Sequence, residues 1–324
     1  MQDIGGCLKL YYYRDRQGNF GDDLNVWLWP RLLPAGTLDD DPDSLFVGIG
    51  TVLGRGVPAA TIKWVMGSGT GYSRVAALDD RWRFMCVRGP MTAKVLGLPA
   101  DLAATDPAAF LHRQPGLIGR PRSGAAFMPH HVSAAQFDWR SLCERAGIAY
   151  VDPCASVDST LDVLSGAALV VTESLHGAIV ADAFRIPWVP VVCYDHILGF
   201  KWHDWAASLA LEYAPQVLPA LSDRERALTN HERGRNAFKR ALRGAGIGRR
   251  RFAPVPRRDS PPGDVDAAIR TLSALSRATG VLSTDAALAR GLRLLDAAME
   301  RFLSLSRPNA AASAAPENRG TEPW

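Results

Sequence analysis

The sequence lacks several features that would each have settled a class at once. It has no CxxC pair and no Cys/His spacing suited to a metal; its five cysteines, Cys7, Cys86, Cys143, Cys154 and Cys193, are odd in number and scattered. Such a set reads as reduced thiols of an intracellular protein, not as a disulfide framework. No apolar run approaches membrane-spanning length: Ala167 to Val171 falls far short of the roughly 20 residues needed. The opening Met1-Gln-Asp-Ile-Gly-Gly shows no basic segment leading into an apolar one, so no signal peptide is expected. There is no solenoid-type repeat. Charge of one sign is also scarce: Lys+Arg 37 against Asp+Glu 33 leaves +4, too weak a bias to argue for nucleic acid as a partner.

What remains is ordinary globular composition, 47% hydrophobic and 22% charged over 324 residues. At about 150 residues per domain this suggests two domains. The elements agree. Strands are expected at Leu8–Tyr13, Leu45–Ile49, Ile62–Met66 and Phe84–Arg88, with a helical pattern opening at Asp22 and Pro90 suited to the first turn of another helix. The Pro-, Gly- and Arg-rich segment 113–124 reads as a linker. The alternation then restarts: strand Ala125–Met128, helix Ala134–Ala146, strand Ile148–Val151, helix Val157–Leu164, strand Ala168–Thr172, a helix through Leu175 and Phe184, and strand Val189–Cys193. Alternating strands and helices mean an α/β chain with mainly parallel sheets. Beyond Trp205 the pattern turns helical, over Asp223–Leu242, Val265–Arg277 and Asp285–Leu305. A basic stretch over 233–258 carries Arg233, Arg235, Lys239, Arg240, Arg243, Arg249, Arg250, Arg251, Arg257 and Arg258 with no acid among them.

In open α/β sheets ligands bind beyond the carboxyl ends of the strands. The residues there form one group: Asn19-Phe-Gly-Asp-Asp23, Gly50, Gly67-Ser-Gly69, Arg88-Gly-Pro90, Pro129-His-His131 and Glu173-Ser-Leu-His-Gly177, with Thr105-Asp-Pro107 on a separate loop. Thr172-Glu-Ser-Leu-His-Gly177 runs from a strand straight into a helix, whose first N–H groups favour a phosphate or carboxylate. His176 there either supplies a charged hydrogen bond or a proton, or is simply satisfied by backbone. Gly67-Ser-Gly-Thr-Gly71 lacks the spacing of a dinucleotide or Walker loop and fits a plain turn equally well. Arg88 suits an anion clamp or a structural ion pair. Asp22 and Asp23 suit helix caps, or a carboxylate that deprotonates a hydroxyl. His130-His131 has no third ligand at metal spacing, which speaks against a metal site.

Taken in order over about Asn19 to Trp205, these segments resemble the polysaccharide pyruvyl transferase family, in particular its exopolysaccharide ketal-forming branch. Asn19-Phe-Gly-Asp22 is similar to its N-x-G-D opening, Gly67-Ser-Gly69 to its G-S-G, and Val87-Arg-Gly-Pro90 to its V-R-G-P. Thr105-Asp-Pro107 is similar to its G-D-P with Thr in place of Gly, and Pro129-His130 to its P-H. Ser174-Leu-His-Gly177 with Ala181 and Pro187 is similar to its signature helix, and Phe200-Lys201 before Trp202-His-Asp-Trp205 to a late element. Many members carry Arg where this chain has Ser174, a departure that the ketal-forming branch tolerates.

The resemblance implies two Rossmann-like domains facing a cleft in a GT-B-like arrangement, an N-terminal one over 1–115 on the acceptor side and one over 124–260 on the donor side. A helical C-terminal extension over 261–306 and a disordered tail over 307–324 would follow. It implies phosphoenolpyruvate as co-substrate, no cofactor, no metal, and a lipid-linked oligosaccharide acceptor that receives a pyruvate ketal with release of phosphate. His176 would bind the donor and act as acid, with Asp22, or else Glu173, as base. Asn19, Gly21, Gly67, Ser68, Gly69, Asp106, His130, Ser174, Leu175 and Gly177 would contact substrate, and Arg88 and Lys201 would neutralise its anions. The expected location is cytoplasmic, at the inner face of the membrane, with the basic stretch 233–258 meeting anionic lipid. A glycosyltransferase using a nucleotide sugar and a non-catalytic subunit of a polysaccharide assembly complex are the alternatives.

Overall fold

The computed structural model describes residues 8–54, 56–71, 78–224, 229–244 and 258–306. In its first part, β1 (Leu8–Tyr11) leads into α1 (Phe20–Leu32), followed by β2 (Leu38–Asp39), β3 (Ser44–Val47), β4 (Ile62–Met66), β5 (Trp82–Cys86) and α2 (Pro90–Leu96). Two 3-10 turns, Ala100–Leu102 and Pro107–Arg113, carry the chain onward. A second series follows: β6 (Ala125–Met128), α3 (His131–Ala134), α4 (Trp139–Ala146), β7 (Ala149–Tyr150), α5 (Val157–Gly166), β8 (Leu169–Thr172), α6 (Leu175–Ala183), β9 (Trp188–Val192), α7 (Gly199–Ser208) and β10 (Gln216–Val217). Among the described residues three helices follow: α8 (Asn230–Gly244), α9 (Pro262–Leu275) and α10 (Asp285–Ser306).

The strands form two parallel five-stranded sheets, in the orders β2-β1-β3-β4-β5 and β10-β9-β8-β6-β7. Numbered within its own sheet, each follows the order 2-1-3-4-5. Both therefore reverse direction once, between β1 and β3 in the first sheet and between β6 and β8 in the second, and such reversals open a crevice at the strand ends.

Strands β4, β6 and β8 are buried along their whole length, and their sequences are apolar but for Lys63 and Thr172. In the first sheet Phe46, Trp64 and Met66 enter one cluster while Leu45, Val47 and Val65 enter another. In the second, Ala126, Met128 and Val170 face the first of these clusters, and Ala125, Phe127 and Val171 face a third. One face of each sheet thus contributes to a single shared core, and a large apolar contact of this kind resists free domain motion. α9 completes the second sheet's outer layer by packing on α4, where Ser273 Oγ donates to the Ala146 carbonyl at 3.2 Å. α10 returns to the first sheet, placing Phe302 edge-on between Phe46 and Trp64 with ring centroids 5.2 and 5.5 Å away.

Several local expectations shift. α1 starts at Phe20 rather than Asp22, because Asn19 is extended and takes the cap position. The helix expected over 134–146 divides at Asp138, whose carboxylate accepts from the Ser141 N–H at 3.1 Å and starts α4 afresh. α7 was not anticipated as a helix, and the helix expected from Asp223 begins at Asn230. The expected tail, 307–324, lies outside the described residues, as do Arg249, Arg250, Arg251 and Arg257 of the basic stretch.

Candidate functional site

The two reversal points face one another across a cavity of about 320 Å³, at the lower end of small-molecule sites. Each wall comes from a loop that follows a strand flanking a reversal. Tyr13, Asp15, Asn19 and Asp22 follow β1, and Gly50, Thr51 and Val52 follow β3. His130, His131 and Val132 follow β6, while Ser174, Leu175 and His176 follow β8. His196, beyond β9, and Lys201, on α7, complete it.

Asp22 is 8% exposed on the first turn of α1. Burial raises its pKa from 3.8 to about 6, against the lowering pull of His176, Lys201 and the Asn19 amide that donates to its Oδ2. Its position is set by Asn25, one turn on. That side chain donates to the Asp22 and Ile49 carbonyls at 2.9 Å each, and accepts from the Ile49 N–H at 2.7 Å. α1 is thereby fastened to the loop after β3. A carboxylate that titrates near neutrality beside a cavity can accept a proton from a hydroxyl.

Across the cavity, α6 begins at Ser174. Ser174 occupies the N-cap position but its hydroxyl makes no capping bond, and its N–H is taken by Thr172 Oγ1 at 2.9 Å. His176 lies in the first turn with its ring against the backbone of Gly21, so close that a Cβ at position 21 would overlap Nδ1. Its Nε2 stands 3.7 Å from Asp106 Oδ2, just outside hydrogen-bond reach. Both atoms are buried and neither has another hydrogen-bond partner. Asp106 itself is fully buried and caps the 3-10 turn through Oδ1, which accepts from the Ala108 N–H at 3.0 Å. It therefore stands behind His176 and does not line the cavity.

The histidines at the second sheet's rim pack ring to ring: His130 lies 4.3 Å from His131 and 5.2 Å from His196, centroid to centroid. Burial, followed by the charge of Lys201, holds the His130 pKa well below its ordinary value. His131 is lowered as well, chiefly by burial and against the pull of Asp15. Both are accordingly neutral at neutral pH. Lys201 is the one Lys or Arg among the described residues that line the cavity. Among the described residues no group of three His, Cys, Asp or Glu is placed to hold a metal ion.

Arg88 and Glu173 sit elsewhere than a ligand-contacting role would need. Arg88 is 0% exposed, with Nε 3.3 Å from Asp204 Oδ2 and Nη1 donating to Thr51 Oγ1 at 2.8 Å. Asp204, on α7, also accepts from the Thr92 N–H at 2.8 Å and its hydroxyl at 2.6 Å, binding α7 to the start of α2. Arg88 can influence a ligand only through Thr51, its neighbour on the wall. Glu173 is equally buried. It accepts from the backbone N–H groups of Cys193 at 2.7 Å, Tyr194 at 3.2 Å and His130 at 3.2 Å, clasping the loops after β6 and β9.

The Gly67-Ser-Gly69 segment forms the layer beneath the cavity. Gly67 has φ +80° and lies against the Pro107 ring, Ser68 donates to the Gly48 carbonyl, and Gly69 leaves room for the Arg88 guanidinium. Gly177 makes room for Thr172 Oγ1 in the same way. Of the expected contact residues, then, Asn19, Asp22, His130, Ser174, Leu175, His176 and Lys201 line the cavity. Gly21, Gly67, Ser68, Gly69, Arg88, Asp106, Glu173 and Gly177 support it from behind. Sequence reasoning missed Tyr13, Asp15, Thr51, Val52, Val132 and His196, and did not assign Gly50 or His131 to the site. All but His196 lie on strand-end loops already singled out or directly beside them.

The sequence profile of a family described as polysaccharide pyruvyl transferase matches residues 11–196, which span every cavity residue but Lys201. The succinoglycan biosynthesis protein ExoV of Rhizobium meliloti (strain 1021) is 42% identical over 216 residues, covering 65% of this chain and 68% of that protein. No solved structure matches the chain significantly.

Proposed function

The chain belongs to the polysaccharide pyruvyl transferase family, and from that footing we propose that its cavity takes phosphoenolpyruvate as donor and a sugar of a lipid-linked oligosaccharide as acceptor. It is a pyruvyltransferase of exopolysaccharide biosynthesis. The observation that carries the finer reading is the meeting, at two facing reversal points, of a carboxylate titrating near neutrality, a helix N-terminus, an imidazole and a buried lysine. We read the two sheets as a GT-B-like pair of lobes, over 1–115 and 124–260.

The donor's two anionic groups need cationic or N–H partners. Lys201 and the start of α6, with the Ser174 hydroxyl, supply them on the second-sheet side. His176, in its protonated form, delivers a proton to the methylene carbon, and C2 becomes oxocarbenium-like. The first sugar hydroxyl attacks C2 and gives its proton to Asp22. Asp22 then returns that proton to the ester oxygen as the C2–O bond to phosphate breaks. The second hydroxyl closes the ketal and gives its proton to His176. Both residues end as they began, and the sum is donor plus diol yielding ketal plus phosphate. Asp106 acts through His176: its Oδ2, 3.7 Å behind Nε2, orients the ring, a positioning role rather than substrate contact.

We place the reaction in the cytoplasm at the inner membrane face, where a lipid-linked acceptor would be met. Incubation of the protein with phosphoenolpyruvate and membrane-extracted lipid-linked acceptor tests the reading. Acceptor-dependent phosphate release supports it; selective thermal stabilisation by a UDP- or GDP-sugar, with no phosphate release, overturns it in favour of sugar transfer.

A further inference from the structure

The loop after β3 is fastened on both sides of Thr51. The Asn25 side chain accepts from the Ile49 N–H at 2.7 Å and donates to the Ile49 carbonyl at 2.9 Å. The Gly50 carbonyl accepts from the Gly69 N–H at 2.9 Å, and the Leu53 N–H donates to the Gly69 carbonyl at 3.2 Å. Thr51 thus stands on the cavity wall with its backbone tied to the layer beneath. Its methyl carbon faces Gly71, 3.7 Å from where a Cβ there would stand, and its Oγ1 meets Arg88 Nη1 at 2.8 Å. Branching at Cβ restricts χ1, so the oxygen keeps that place.

Hydrogen-bond accounting limits what this hydroxyl can do. A guanidinium carries only donors, so Oγ1 is the acceptor of the pair and its own proton goes elsewhere. Among the described residues no protein group accepts that proton. A hydroxyl whose lone pair is held by a buried cation is a strengthened donor. Arg88 itself is 0% exposed, with Nη2 buried against Gly69, so Thr51 is where its charge meets the cavity. Gly50, the preceding residue, lies under Asp22: a Cβ there would stand 3.0 Å from Asp22 Oδ1. Thr51 and Asp22 are therefore neighbours on one wall. In the reaction proposed above Asp22 returns a proton to the ester oxygen, which brings the phosphoryl group to this wall. Phosphoryl oxygens beside a carboxylate need a donor there, and the Thr51 hydroxyl is the one that Arg88 strengthens.

We propose that Thr51 contacts substrate, its hydroxyl donating into the cavity to a phosphoryl oxygen of the donor, and that Arg88 is the positioning residue that holds it in that role. This deepens the pyruvyl-transfer reading and rests on it for the identity of the phosphoryl group. It also gives the buried ion pair of Arg88 and Asp204 a purpose at the site. Asp204 fixes the guanidinium, the guanidinium fixes Oγ1, and a neutral hydroxyl carries part of the cation's pull to the anion while the cation stays sealed from water.

The test uses the full chain without acceptor and two probes that stand for the donor's two anionic groups. Inorganic phosphate is titrated by phosphorus NMR and pyruvate by saturation transfer to its methyl protons. Thr51→Val, which removes the hydroxyl and little else, should weaken phosphate binding about 10–100-fold and leave pyruvate binding unchanged. Thr51→Ser, which restores the hydroxyl, should restore the affinity. Where Thr51→Val fails to fold, with Nη1 left unpaired, Thr51→Ala leaves room for a water there and serves the same comparison. Arg88→Lys should weaken phosphate binding in the parent and add little in the Thr51→Val background, because Arg88 acts through Thr51. No phosphate binding by the parent, unchanged phosphate affinity in the variants lacking the hydroxyl, equal loss for phosphate and pyruvate, or no rescue by serine would each overturn the proposal. The titrations involve no turnover, so their outcome is separable from that of the pyruvyl-transfer reading, which acceptor-dependent phosphate release decides. Transfer by the parent with an indifferent Thr51→Val sinks this inference alone; a Thr51-dependent phosphate site without transfer sinks only that reading.

Discussion

Asp22→Asn should make the protein more stable at neutral pH while removing its activity. The carboxyl group is buried at the start of α1 and titrates at about 6, against 3.8 when unperturbed. The native state therefore holds this proton more tightly than the unfolded chain does. Below about pH 4 both states are protonated and Asp22 contributes no pH dependence; between about 4 and 6 stability falls as pH rises; above that the full cost persists. A displacement of that size corresponds to about 3 kcal/mol, and the attractions of Asp22 to His176 and Lys201 are already inside the figure. Asparagine keeps the shape and an acceptor for the Asn19 amide but carries no charge. Urea unfolding at pH 7.5 should show the variant ahead by about 2–3 kcal/mol, with the advantage shrinking towards zero by about pH 4. Transfer should fall by about 10²–10⁴-fold with the loss of the base. A variant less stable than the parent at pH 7.5, or an advantage independent of pH, would refute the reasoning, since either means that Asp22 is not held ionised at a cost.

Three other expectations concern its neighbours. Lys201→Met withdraws a charge that lowers the Asp22 pKa, so the acidic limb of the kcat/KM profile should move to higher pH while KM for phosphoenolpyruvate rises; an unmoved limb contradicts the pairing. Asp106→Asn should lower kcat by about 10–100-fold with little change in KM, the pattern of a positioning residue; a KM effect alone would put Asp106 in contact with substrate after all. Arg88→Ala leaves Asp204 buried beside only Thr92 and should cost about 3–5 kcal/mol in unfolding experiments, partly recovered by adding Asp204→Asn. Unchanged stability with a raised KM would instead return Arg88 to direct contact with the donor.

How much of this was legible beforehand varied with the residue. β-strands buried on both faces announce themselves as apolar runs, so Ile62–Met66 and Ala125–Met128 coincide with expectation, and the loops after them could be grouped before any coordinates. The two-residue edge strands β2 and β10 are too short for periodicity to register. α7 was hidden for a different reason: Lys201, Trp202, Asp204 and Trp205 are all buried, so the segment has no polar face to give it a helical rhythm. Side-chain chemistry misled at Arg88 and Glu173. A charged residue at a strand end looks the same whether it meets a ligand or a buried partner, and the partners here, Asp204 and the Cys193 and Tyr194 amides, come from far along the chain. The resemblance to the family's motifs mixed the two kinds of position, because the small residues at Gly21, Gly69 and Gly177 are required by packing against His176, Arg88 and Thr172 rather than by a ligand.

We propose that this cavity moves the pyruvyl group from phosphoenolpyruvate to a pair of sugar hydroxyls. Mass spectrometry of the lipid-linked acceptor after incubation with enzyme and phosphoenolpyruvate, with phosphate measured in the same samples, decides it. The acceptor should gain the mass of one pyruvate less one water for each phosphate released, and both changes should vanish with His176→Ala. An acceptor unchanged in mass while the donor survives, or a His176→Ala protein that folds and still forms the ketal at the parent rate, would contradict it.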